Sequence, residues 1–98
     1  MENFKDVISG NTLILVDFYA TWCRPCQMMH PVLEQVKAAL GDKIRILKID
    51  VDKHQDLAME YGIRSVPTLM LFRNSEILYR QSGAMSKAEL LSLLEPFI

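Results

Sequence analysis

The sequence predicts an α/β fold: a central mixed four-stranded sheet flanked by helices on both faces. Three observations carry the prediction. Residues 12–19 and 43–50 are dense apolar runs rich in strand formers, and the segment between them has helical periodicity. A strand–helix–strand unit makes a parallel pair with a right-handed crossover. Further on, residues 68–72 and 76–81 flank Asn74-Ser75, which reads as an antiparallel hairpin.

Taken in chain order, Phe4, Val7 and Ile8 recur at helical spacing before Gly10, giving a short helix over 2–9. "TLILVDFY" (12–19) suits a central strand buried on both faces. Met29, Val32, Leu33, Val36 and Leu40 then form one apolar helix face ended by Gly41, with Pro31 expected to kink it. "KIRILKID" (43–50) is the second strand. Leu57, Ala58 and Tyr61 mark a short helix that stops at Gly62. After the hairpin, Ser86 and Glu89 make a capping box for a last helix, with Leu90, Leu93, Leu94 and Phe97 as its buried stripe.

At 98 residues the chain reads as one domain, 1–98. Such a length buries only roughly 60–65% of its unfolded surface, but half of the residues are hydrophobic, enough for a core without cross-links. The net charge is -1, with no long run of one sign, so attraction to nucleic acid or to an acidic membrane is not implied. The start, "MENFKDVISG", carries Glu2 and Asp6 and lacks the apolar core of a secretory signal. The longest apolar run, 13–16, is too short to span a bilayer. A cytoplasmic protein is expected, and there a lone structural disulfide is disfavoured.

The only two cysteines lie in "TWCRPCQ" (21–27), where the first strand gives way to a helix. A thiolate at a helix N-terminus faces unpaired N–H groups and the positive end of the dipole. Both favour the thiolate, and in Cys-x-x-Cys motifs the pKa falls from about 8.5 to between about 3.5 and 7.5. Pro25 fits the first helical turn, where a missing N–H costs nothing. Arg24 adds a fixed positive charge. Cys23, at the mouth of the helix, is assigned as nucleophile, and Cys26, one turn in, as the residue that resolves the mixed disulfide.

Asp17 interrupts an apolar strand, on the face of Leu13 and Leu15; Lys48 does the same on the second strand, with Ile44 and Ile46. If the strands are neighbours, the two could meet beneath the cysteines, where a carboxylate raised by burial could accept and return the proton of Cys26. The alternative is that both side chains reach solvent at sheet ends.

With these residues in hand, the chain resembles the thioredoxin family. "VDFYATWCRPCQMMHP" (16–31) is similar to that family's active-site segment, "YGIRSVPTLMLF" (61–72) to its cis-proline segment, and "SGAMSKAEL" (82–90) to its glycine segment and last-helix start. The three matches occur in the right order and cover most of the chain from Thr12 onward. The resemblance implies a thioredoxin fold and a protein-disulfide reductase working by dithiol–disulfide exchange, with no bound cofactor. It implies an active-site loop of Trp22, Cys23, Arg24, Pro25 and Cys26, with Asp17 as buried proton acceptor and Lys48 as its partner. Pro67 would be cis beside the Cys pair, the backbone of Val66 would bind an extended substrate segment, and Gly83 and Ala84 would complete a flat apolar docking surface. Electrons would come from NADPH through a thioredoxin reductase, and the other partners would be disulfide-containing target proteins. A monomer is expected.

Three departures stand out. Arg24 replaces the glycine usual between the cysteines, and Ser75 the glycine usual in the hairpin. The segment before Thr12 is too short for the family's usual first strand, so residues 43–50 would form a sheet edge. The expected strand order is second, first, third, fourth.

The rival chemistry is metal binding by Cys23, Cys26, His30 and His54, a four-ligand set of the kind zinc takes. Against it, both cysteines come from one corner, and zinc explains neither Asp17 nor Pro67. His30 otherwise reads as a partly exposed helix residue. A third reading is an adaptor of this fold whose cysteines are incidental. The six methionines read as core filler, Asp50 and Asp52 as strand-end and turn residues, Tyr19 as a packing variant, and Trp22 as a partner contact beside Cys23.

Overall fold

The structure is a computed structural model and describes residues 3–98. Its elements follow the order α1 (Phe4–Ile8), β1 (Leu13–Tyr19), α2 (Arg24–Leu40), β2 (Ile44–Asp50), α3 (Gln55–Glu60), β3 (Thr68–Arg73), β4 (Glu76–Ser82) and α4 (Lys87–Leu94). Short 3₁₀ turns occupy Gly41–Lys43 and Glu95–Phe97. The sequence reading began the first helix at Glu2, which lies outside the described residues.

The four strands form one sheet in the order β2-β1-β3-β4. β1 pairs with β2 in parallel, with Asp17 opposite Lys48. β3 pairs antiparallel with β1 on one side and β4 on the other. Among the described residues β2 pairs on one side only, so it is an edge strand, the position expected for residues 43–50.

Alternation along β1 sorts its residues between two apolar layers. Leu13 and Leu15, with Ile44, Leu69 and Leu71, pack against Met29, Leu33 and Val36 of α2 and Leu90 and Leu94 of α4. Ile14, Val16 and Phe18, with Ile49, Met70 and Phe72, pack against Val7 and Ile8 of α1 and, at the margin, Leu57 of α3. Burying each such side chain contributes roughly 1.5–3 kcal/mol. Asp17 falls on the α2/α4 side of this alternation, which places a carboxyl group inside the first layer.

α2 runs unbroken through Pro31. The Lys37 Nζ donates to the carbonyls of Gly41 (2.8 Å) and Ile44 (2.7 Å), tying the helix end to the start of β2. That end is where a cation also suits the helix dipole. Lys43, assigned to the strand from sequence, lies instead in the 3₁₀ turn. The capping box of α4 is present, with Ser86 and Glu89 exchanging two bonds of 3.1 Å. Of the stripe expected on that helix, Leu90 and Leu94 are buried, whereas Leu93 and Phe97 are only partly so.

Candidate active site

β1 delivers the chain from the sheet centre to its C-terminal end, and four residues, 20–23, separate it from α2. Cys23 is the N-cap of α2, with Pro25 in the first turn. Its sulfur accepts the Cys26 N–H at 3.2 Å, satisfying one of the helix's unpaired donors. Cys23 and Cys26 are joined by a disulfide. Cys23 is 5% exposed and Cys26 is fully enclosed, so an incoming group can reach only the first. Arg24 and Pro25, between them, are exposed.

Three loops meet at this corner. The Val66–Pro67 peptide is cis, and the Val66 carbonyl oxygen lies 3.7 Å from the Cys23 sulfur. Gly83, at φ +99°, donates its N–H to the Pro67 carbonyl at 2.8 Å, so the glycine loop is anchored to the proline loop. A side chain at Gly83 would meet no crowding but would be strained by that φ. The Met85 N–H then donates to the Met29 thioether at 3.2 Å, which ties the same loop to α2. Gly83 and Ala84 are exposed beside the half-buried Val66 and the buried Pro67.

Trp22 is 71% exposed, and its indole N–H donates to Asp52 at 3.0 Å. Asp52 is itself placed by Asp50, whose carboxylate accepts the Asp52 N–H at 2.9 Å. Reading these aspartates as strand-end and turn residues gave their backbone role but missed this one. A pairing across thirty positions leaves no local pattern. The Gln27 side chain, also missed, donates to the Thr21 carbonyl at 3.0 Å and closes the loop from the other side.

Asp17 is fully buried on the α2 side of β1, and neither carboxyl oxygen has a hydrogen-bond partner. Burial pushes its pKa up to about 6, and the Lys48 charge partly opposes this. The expectation that the two side chains meet is corrected in one respect. They are opposite each other in register, but no ion pair joins them, and Lys48 is exposed. A long stem on an edge strand carries its ammonium to water, so Lys48 acts on Asp17 through space.

Among the described residues, no group of three or more His, Cys, Asp or Glu side chains is placed to hold a metal ion. Met29, Met70 and Met85 are core residues as expected, but Met28 and Met59 are exposed and Met1 lies outside the described residues.

A cysteine pair that closes and opens at a helix N-terminus stores two electrons and two protons with no bound group. By class the protein is a thiol–disulfide oxidoreductase. Comparison with known proteins gives the family: the family model named Thioredoxin matches residues 1–96. A thioredoxin-like protein of Synechocystis is 45% identical over 97 residues, covering 98% of this chain and 92% of that protein. A thioredoxin of Buchnera aphidicola is 40% identical over 95 residues, covering 96% and 88%. Among solved structures, a thioredoxin-2 described as a component of malaria parasite protein secretion machinery has a TM-score of 0.85 at 32% identity, covering 88% of this chain and 84% of that one. The chain belongs to the thioredoxin family, and its activity is that of a protein-disulfide reductase.

Proposed function

We propose that Cys23 and Cys26 divide the exchange reaction as attacker and resolver. The Cys23 thiolate attacks a target disulfide, forming a mixed disulfide and expelling one target thiolate. Asp17 takes the proton of Cys26, whose sulfur then attacks Cys23 and expels the second. The observation that carries this reading is the difference in access: Cys23 is 5% exposed while Cys26 is fully enclosed, on the α2 side of the sheet where Asp17 is also buried. A carboxyl whose pKa lies near 6 both accepts and returns a proton close to neutrality. Lys48 holds that value down from what burial alone would give.

Trp22, Arg24, Pro25, Val66, Pro67, Gly83 and Ala84 form the docking face for an extended target segment. The exposed indole, the half-buried Val66 next to the cis bond and the exposed small residues at 83 and 84 support this assignment. Members of the family are generally reduced by a thioredoxin reductase and act on disulfide-bearing proteins. We assign this chain the same electron source, ultimately NADPH, and the same kind of target. The radius of gyration, 12.6 Å, is that of one domain of about 100 residues, about 13 Å. It supports a single domain, and we assign it as a monomer. No helix among the described residues is long and apolar enough to cross a membrane. Relatives include bacterial thioredoxins and a chloroplastic one, and we place this chain in the cytoplasm.

Trapping tests the division of labour. Cys26→Ser should accumulate a mixed disulfide with a peptide disulfide, visible as a mass adduct, while Cys23→Ser should give none. An adduct on Cys26 in the Cys23→Ser protein, formed as fast as the first, would reverse the roles.

A further inference from the structure

We propose that His30 is the proton outlet of the active site: protons gained or lost by Asp17 pass between the buried layer and solvent through the His30 imidazole. This rests on the reading of Asp17 as proton acceptor.

Among the described residues, only three buried side-chain polar atoms lack a hydrogen-bond partner: both oxygens of Asp17 and Nδ1 of His30. Buried polar atoms are nearly always paired, so each exception needs a reason. All three belong to the layer between α2 and the sheet. His30 follows Cys26 by four residues on α2, hence one turn further along the same helix face. Its ring packs edge-on against Tyr19, with centroids 5.3 Å apart and planes at 83°. Tyr19 lies two residues beyond Asp17 on the same face of β1. The residue as a whole is only half-buried, so the ring runs from the enclosed Nδ1 toward the surface. Lys48 and Glu34 line a surface pocket between α2 and β2, which brings solvent to this margin of the layer.

The charged and titratable groups nearest His30 are Glu34 on α2, Lys48 on β2 and Tyr19 on β1, with Cys26 one turn back on α2 and Asp17 two residues before Tyr19 on the same face of β1. Burial and then the Lys48 charge lower the His30 pKa, against an opposing pull from Glu34. The imidazole is thereby kept neutral near pH 7. Neutral imidazole carries one donor and one acceptor nitrogen, which a relay requires.

The proton count closes. When Cys26 resolves the mixed disulfide, its proton goes to Asp17, the Cys23–Cys26 bond forms and the target thiolate leaves. Asp17 must then shed that proton. Asp17 and His30 are not hydrogen-bonded to each other, so a water carries the proton between them; His30 accepts it at Nδ1 and releases one from Nε2 to solvent. Re-reduction of the disulfide runs the path backward.

The test is turnover of a peptide disulfide, driven by a small dithiol, across the neutral pH range. The proteins compared are the parent, His30→Ala, His30→Gln and Asp17→Asn, with Trp22 fluorescence confirming the fold of each. Both His30 variants should be slower at neutral pH, by roughly a hundredfold, the low end for a positioned acid–base group. Free imidazole should restore the rate of His30→Ala in proportion to its concentration, an effect that loss of packing on Tyr19 cannot produce. In the Asp17→Asn background, His30→Ala should cost nothing further. If Asp17→Asn is slow but His30→Ala matches the parent, or is slow without rescue, the outlet is wrong and the acceptor reading stands. If Asp17→Asn turns over as the parent does, both fall.

Discussion

Arg24 is the residue whose effect is easiest to isolate. It is exposed in the first turn of α2, between the two cysteines. A cation there favours the Cys23 thiolate, hence the reduced form, and makes the disulfide more oxidising. Exposed charge pairs contribute roughly 0.2–1 kcal/mol, and about 1.4 kcal/mol corresponds to 30 mV for a two-electron couple. Arg24→Gly should therefore shift the potential about 5–20 mV more negative in glutathione buffers at low ionic strength, with the difference fading in high salt. An unchanged potential at low salt would mean that the charge is fully solvated. At this scale the sequence was legible where chemistry is local. The cysteine spacing, the interrupting Asp17 and the helix-start proline each carry their meaning within a few positions. Asp52 beneath Trp22 and the buried nitrogen of His30 depend on what the fold brings from elsewhere, whereas Met28 and Met59, read as core filler from composition, lie off the apolar stripes of α2 and α3 and face water.

At the scale of elements, every helix and strand was legible from period and punctuation, and the differences lie at the ends. Lys43 was lost to a 3₁₀ turn because Gly41 ends α2 with positive φ and the chain needs one more turn before extending. The hairpin turn is the element under most local tension. Asn74 and Ser75 both have positive φ, 52° and 66°, the geometry that suits the strand twist but that glycine adopts far more readily than serine. The turn is held by backbone bonds, from the Asn74 N–H to Gly10 (2.9 Å) and from the Ser75 N–H to Ile8 (2.8 Å), which a side-chain change leaves intact. Ser75→Gly should therefore stabilise the protein by about 0.5–1 kcal/mol. In a thermal melt this corresponds to about 2–8 °C. Turnover should not change, since the turn lies at the end of β3 remote from Pro67. A lower melting temperature would show that unfolded-state entropy outweighs relief of the backbone.

For the whole molecule, Asp17 couples the chemistry of the site to the stability of the fold. Its folded-state pKa, about 6, lies above the 3.8 of the unfolded chain. Between these values the native state holds a proton that the unfolded state has lost, so stability falls as pH rises through that window. The contribution is complete below about pH 4 and gone above about pH 7. The interval between the two values, at roughly 1.4 kcal/mol per pH unit, comes to about 3 kcal/mol. Asp17→Asn removes the titration, though its buried amide brings its own unpaired groups. Denaturant melts of the two proteins should therefore diverge with pH. The variant should gain about 3 kcal/mol on the parent between pH 4 and pH 8, whatever the constant offset between them. Lys48→Met should carry the parent's decline on to higher pH and deepen it, because the charge that opposes burial is removed. If the stability difference between Asp17→Asn and parent stays constant over that range, the carboxyl titrates as in the unfolded chain. Asp17 would then not be poised to take the Cys26 proton near neutrality, and the fold would have no reason to carry the cost of burying it.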